Sequence, residues 1–172
     1  GSEQTTAPAE SLRAVAIVDT PGTNAVLREH EALTRDFLPR ADLVVFVTSA
    51  DRPYTESERA FLEAIREWGK KVVLVLNKAD LLRTPEEVAE VVAFVREQAE
   101  KTLGLGPEVF ALSAREALRA REHGDAAALE RSGLPAFETK VTATLDEAER
   151  FRLKLKNPLG VARRAVREAG EL

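Results

Sequence analysis

Apolar residues fall along this chain in two alternating patterns. Short unbroken runs occur at Ala14–Val18, Leu43–Thr48 (LVVFVT), Lys71–Leu76 (KVVLVL) and Val109–Leu112. Between them, apolar residues recur every three or four positions. The runs predict strands, and the three long ones, having no polar alternation, predict strands buried on both faces, as in a parallel sheet covered by helices. The periodic stretches predict helices at about Ala25–Phe37, Glu56–Trp68 and Pro85–Lys101. A helical stretch follows to about Arg131, then a long helix from about Pro135 to Leu155. Thr55 with Glu58, and Thr84 with Glu87, have the spacing of capping boxes, and Pro85 suits a first helical turn. Val88, Val91, Val92, Val95 and Ala99 share one face of the third helix. Strand–helix alternation of this kind predicts an α/β doubly wound fold.

Composition narrows the function classes. The chain has 172 residues, 44% hydrophobic and 31% charged, ordinary values for a globular domain. It has no cysteine, which excludes disulfides, thiolate metal sites and a cysteine nucleophile. His30 and His123 lie far apart in polar helical settings, so a zinc site is not expected. Ser49 and Ser113 have no histidine at a useful spacing, so a serine hydrolase is not supported. A net charge of −4 argues against broad nucleic-acid binding. No apolar run reaches the roughly 18 residues of a membrane-spanning helix. The chain contains no methionine and opens Gly1-Ser2, the pattern of a cleavage scar. Residues 1–11 read as a flexible polar lead, and a piece of a longer protein is expected.

In a doubly wound fold, ligands bind beyond the carboxyl ends of the strands. The first strand ends in Asp19-Thr20-Pro21-Gly22, the third in Asn77-Lys78-Ala79-Asp80, and the fourth in Leu112-Ser113-Ala114. On one rim these ends suit a guanine nucleotide. The Asp80 carboxylate can accept from both guanine N1–H and the exocyclic amine. Adenine offers no such donor pair, and sites of this kind discriminate by about 10⁴ or more. Lys78 can lay its aliphatic stem over the base. Asn77 can tie neighbouring loops through its amide, and the Ala114 N–H can meet guanine O6. On the phosphate side, Asp19 can hold Mg²⁺ through a water and the Gly22 amide can bond a γ-phosphate.

Through these residues the sequence resembles GTPases of the dynamin superfamily, in particular the Fuzzy-onions-like (mitofusin-related) branch and bacterial dynamin-like proteins. VDTPGTN, FLPRADLVVFVTSADRPYTESE, FLEAIREWGKKVVLVLNKADLL and LSAREAL all read like that branch. RLKLKNPLGVA resembles its passage from GTPase domain to helical stalk. The resemblance implies a three-layer P-loop NTPase fold of the Ras/dynamin G-domain kind with a mostly parallel sheet, covering residues 12–155. Residues 156–172 would begin the stalk. It further implies GTP/GDP and Mg²⁺ as ligands, self-association through G domains, membrane lipid as a partner and no nucleic acid. The parent would be cytoplasmic and peripherally membrane-associated, and would remodel or fuse membranes. Arg52 and Tyr54, in the ADRPYTE loop, are candidates for G-domain pairing, against a plain turn around Pro53. The basic run from Arg150 to Arg167 is a candidate lipid or stalk contact, against a solvated helix face.

One departure is large. The sequence contains no G-x-x-x-x-G-K-[ST] string: Lys70 follows Gly69, but Ala64 and Lys71 stand where the first glycine and the Ser/Thr belong. A chain entering the family fold at its third strand is expected to lack hydrolysis by itself. In that family a strand lies between Ala14–Val18 and Leu43–Thr48; without it the two would either pair directly or leave open edges, and a dimer built by strand exchange or edge pairing is the expected outcome. The competing expectation is a degenerate G domain that serves as a non-catalytic interaction module.

Overall fold

The computed structural model describes residues 38–148. The predicted strand at 14–18, the helix at about 25–37, Asp19, Gly22, His30 and the basic run from Arg150 lie outside them. After a 3-10 turn at Leu38–Arg40, the elements run β1 (Val44–Ser49), α1 (Glu56–Glu67), β2 (Val72–Asn77), α2 (Pro85–Leu103), β3 (Val109–Ala111), α3 (Ala114–His123), α4 (Ala126–Arg131) and α5, residues 134–148. The chain divides into two units between Glu138 and Thr139, and the sheet lies in the first.

The three strands form a parallel sheet in the order β1-β2-β3. Val44 pairs with Val72 and Ser49 with Asn77, so β1 and β2 end level. Leu76 pairs with Ala111, which brings the end of β3 to the same rim. Each crossover is a helix, as parallel pairing requires. The predicted caps form. Thr55 accepts from the Glu58 N–H while Glu58 Oε2 accepts from the Thr55 N–H at 2.6 Å, closing the capping box of α1. At the start of α2 Thr84 accepts from the Glu87 N–H at 3.2 Å, but Glu87 Oε2 accepts from the Arg83 N–H at 2.6 Å instead of from Thr84, so the second expected box is only half made.

The core sits between one sheet face and the pair α1/α2. Phe46, Leu74 and Leu76 from the sheet meet Leu62 and Ile65 of α1 and Val95, Ala99 and Leu103 of α2. Phe46 stacks on Phe61 with ring centroids 6.3 Å apart. Burying side chains of this size contributes about 1.5–3 kcal/mol each. On the opposite face, Phe110, in register with Val75, meets Phe137 edge-on at 6.0 Å. Helices thus flank the sheet in an α/β arrangement.

One expectation needs correction. β2 is buried on both faces, but β1 alternates: Phe46 and Thr48 are buried, whereas Val45 and Val47 are 39% and 55% exposed. Among the described residues the second face is covered at β2 and open at β1. An apolar run therefore reports that a strand suits burial on both faces, not that both faces are covered.

Candidate functional site

The rim is built by three loops leaving the level strand ends. The first is tied down by Ala50 N–H to Asn77 O at 2.9 Å. The second is tied to the third by Ala79 N–H to Leu112 O at 3.0 Å. Asn77, the last residue of β2, is the hub. Its Oδ1 accepts from its neighbour's Lys78 N–H at 2.7 Å and from the Ala114 N–H, 37 positions along, at 3.1 Å. A short side chain at a strand end can bridge two loops only where both turn over it. Lys78 makes that turn by adopting the left-handed conformation, φ 62°. Ala79–Leu81 then close a 3-10 turn that carries Asp80 back over the rim.

Asp80 is the most sheltered charge of the group, its side chain only 6% exposed. A carboxylate sheltered by its neighbours needs donors. The Ser113 hydroxyl supplies one, and this bond is the main reason that the Asp80 carboxyl sits below its ordinary range, helped by the Arg115 guanidinium and opposed by burial. Ser113 is itself buried and fixed. It caps α3 by accepting from the Glu116 N–H at 3.2 Å, and its own N–H donates to Ser132 O at 2.9 Å. Arg115, one residue into α3, pairs with Asp80 Oδ2. On the other side of the rim, Lys78 Nζ lies 3.2 Å from Asp51 Oδ1. The Asp51 carboxyl is also held low, first by the Ser49 hydroxyl and then by Lys78.

Asn77, Lys78, Asp80, Ser113 and Ala114 thus lie on one rim at the carboxyl ends of β2 and β3. Asp19 and Gly22 lie outside the described residues. No cluster of three or more potential metal ligands occurs among the described residues. One geometric expectation shifts: the Ala114 N–H is engaged by Asn77 Oδ1, so a bond to guanine O6 requires it to change partner. Tyr54, one of the two candidates for G-domain pairing, is half-buried. It turns inward with φ 59°, its hydroxyl 3.0 Å from Gln98 O and 2.5 Å from Thr102 Oγ1 on α2. His123 is exposed, with Nδ1 2.7 Å from Arg119 O.

Sequence reasoning missed Asp51, Arg115 and Gly133. Asp51 follows a strand end on the same rim, which was signal enough. Arg115 places a cation in the first turn of a helix, where the helix dipole disfavours it, and such a misplacement marks a local partner. Gly133 left no readable signal. It has φ +78°, and a Cβ there would stand 2.3 Å from Ala111 O. The turn at 132–133 therefore presses against the end of β3 and supports the Ser113 loop from below.

A parallel sheet flanked by helices, with N-K-x-D and S-A loops on its carboxyl rim, defines a G domain, the nucleotide-binding fold of small GTPases. Solved structures agree on the fold. Era from Aquifex aeolicus bound to GDP·AlF4⁻ matches with a TM-score of 0.54 at 17% identity, over 75% of this chain and 39% of that one. Era in complex with MgGDPNP and part of 16S ribosomal RNA matches at 0.52 and 16%, over the same shares. Residues 3–79 match the Dynamin family. The chain is 41% identical, over 92% of its length, to a probable transmembrane GTPase, FZO-like, chloroplastic, of Arabidopsis thaliana. It is 30% identical over 52% of its length to dynamin-like protein 1 of Campylobacter jejuni, and 25% over 62% to dynamin-like protein A of Bacillus subtilis. The chain carries a G-domain sequence of the dynamin superfamily of GTPases, with FZO-like, mitofusin-related character. It spans 20%, 12% and 9% of the lengths of these three relatives.

Proposed function

We propose that this chain is the base-recognition part of a GTP-hydrolysing dynamin-like mechanoenzyme that remodels or fuses membranes. The observation that carries the reading is Asp80: a sheltered, ionised carboxylate on the rim beside Asn77, Lys78 and Ser113. It has the chemistry for the paired donors of guanine, N1–H and the exocyclic amine. Asn77 holds the two base-facing loops together, and the Lys78 stem provides an aliphatic cover for the ring. Asp19 would hold Mg²⁺ through a water and Gly22 would meet the γ-phosphate. The metal would neutralise phosphate charge when bound. The membrane role rests on the resemblance to the Fuzzy-onions-like branch. No helix among the described residues is long and apolar enough to cross a membrane.

Calorimetric titration with GDP and ADP tests the base assignment. The expected result is weak binding that favours GDP, with the preference falling about ten- to a hundredfold on Asp80→Asn, the usual range for losing a hydrogen bond to a charged group. Equal binding of GDP and ADP, or an unchanged preference in the variant, contradicts it.

A further inference from the structure

We infer that Arg115 is a positioning residue that occupies Asp80 in the nucleotide-free chain and must leave when a guanine nucleotide enters, so that it sets guanine affinity. The inference rests on the guanine reading above and adds a residue to it.

Arg115 stands in the first turn of α3, which begins at Ala114. Backbone N–H groups and the helix dipole make that end positive, so an arginine there gains nothing from its own helix. What it meets is Asp80, 35 positions earlier in the chain, through Nη2 on Oδ2. The two partners differ in exposure: the Asp80 side chain is 6% exposed and that of Arg115 is 61%. The carboxylate is thus sheltered by a side chain that is itself mostly in water. Ser113, by contrast, is buried and fixed as the cap of α3, so its bond to Asp80 can persist with a ligand present.

The direction of approach, rather than the number of acceptor sites, sets the exchange. A carboxylate has two oxygens and about four lone-pair directions. Ser113 and Arg115 already use part of them, and the Arg115 bond lies on Oδ2. The parallel donors N1–H and N2–H of guanine need both oxygens from one side. Arg115, mostly in water, stands on the solvent side of Oδ2, the side from which a base arrives, so its guanidinium has to yield. Its release is inexpensive because the arginine end is solvated, and exposed ion pairs contribute little. The second rim pair, Lys78 with Asp51, does not involve Asp80 and sets no such conflict.

The test is calorimetric titration of the full 172-residue chain with GDP and with ADP, at low and high salt, for the unaltered protein, Arg115→Ala, Arg115→Lys and Asp80→Asn. Arg115→Ala should bind GDP about two- to fivefold tighter, the range set by an exposed ion pair, with ADP unchanged. The gain should shrink at high salt, which already weakens the competing pair. Arg115→Lys, which keeps the charge, should stay near the unaltered protein, a pattern that a packing role for the arginine stem would not produce. Equal or weaker GDP binding by Arg115→Ala overturns the inference. If that result comes with loss of guanine preference in Asp80→Asn, the inference fails alone and the base assignment stands. If GDP and ADP bind alike to the unaltered protein, or neither binds, both fail.

Discussion

At the scale of single residues, the rim depends on side chains whose partners lie far off in sequence. Asn77 and Ser113 were legible because they end strands, and strand ends are where an α/β sheet places its ligands. Gly133 was not, because its requirement comes from a carbonyl on another strand that only the fold brings near. Gly133→Ala is expected to cost about 1–3 kcal/mol, from the left-handed backbone and the contact with Ala111 O. Urea denaturation measures it, and a loss below a few tenths of a kcal/mol contradicts the close approach. Asp80 gives a pH prediction. Its carboxyl is held below the ordinary value in the folded state, so its contribution to stability is fully present above the unfolded value of about 3.9 and is lost as pH falls through the folded one. Stability curves from about pH 5 to about pH 2 should therefore flatten in Asp80→Asn relative to the unaltered protein. An acid limb of equal steepness contradicts the assignment.

At the scale of elements, the periodicities transferred well where local chemistry fixed the ends. The capping box at Thr55 and Glu58 and the cap at Thr84 set two helix starts from a few residues each. The open face of β1 was not legible, because Val45 and Val47 suit either environment and only neighbouring elements decide which one they meet. The inward turn of Tyr54 was equally hidden. Its left-handed backbone is offset by contacts with α2 that no local pattern announces. Those contacts pin the loop between β1 and α1, which also carries Asp51, to the last turns of α2. Tyr54→Phe removes only the hydroxyl and should cost about 1 kcal/mol. A thermal melt checks this, and an unchanged midpoint would show that the hydroxyl bonds are made equally well by water.

At the scale of the whole molecule, the fold class followed from the apolar runs and the helical periods between them, and two short strings at strand ends marked the rim proposed to receive a guanine base. Asp19 and Gly22, the phosphate-side candidates, lie outside the described residues. The sequence carries no G-x-x-x-x-G-K-[ST] string, whose amides and lysine hold the β- and γ-phosphates in P-loop NTPases. GTP hydrolysis by the 172-residue chain is accordingly expected to stay at buffer background, and steady-state phosphate release that Asp19→Ala abolishes contradicts this. The central claim is that the rim formed by Asn77, Lys78, Asp80, Ser113 and Ala114 receives a guanine base. Backbone amide NMR during a GDP titration tests it most directly, because it reports where the ligand sits even when binding is weak. The account predicts that the largest shifts fall on residues 77–80 and 113–115, including the Ala114 amide now held by Asn77, and that ADP leaves them nearly unmoved. Shifts centred elsewhere, such as the groove between α3 and α4 lined by Arg119, His123 and Arg131, or equal shifts with ADP, would contradict it.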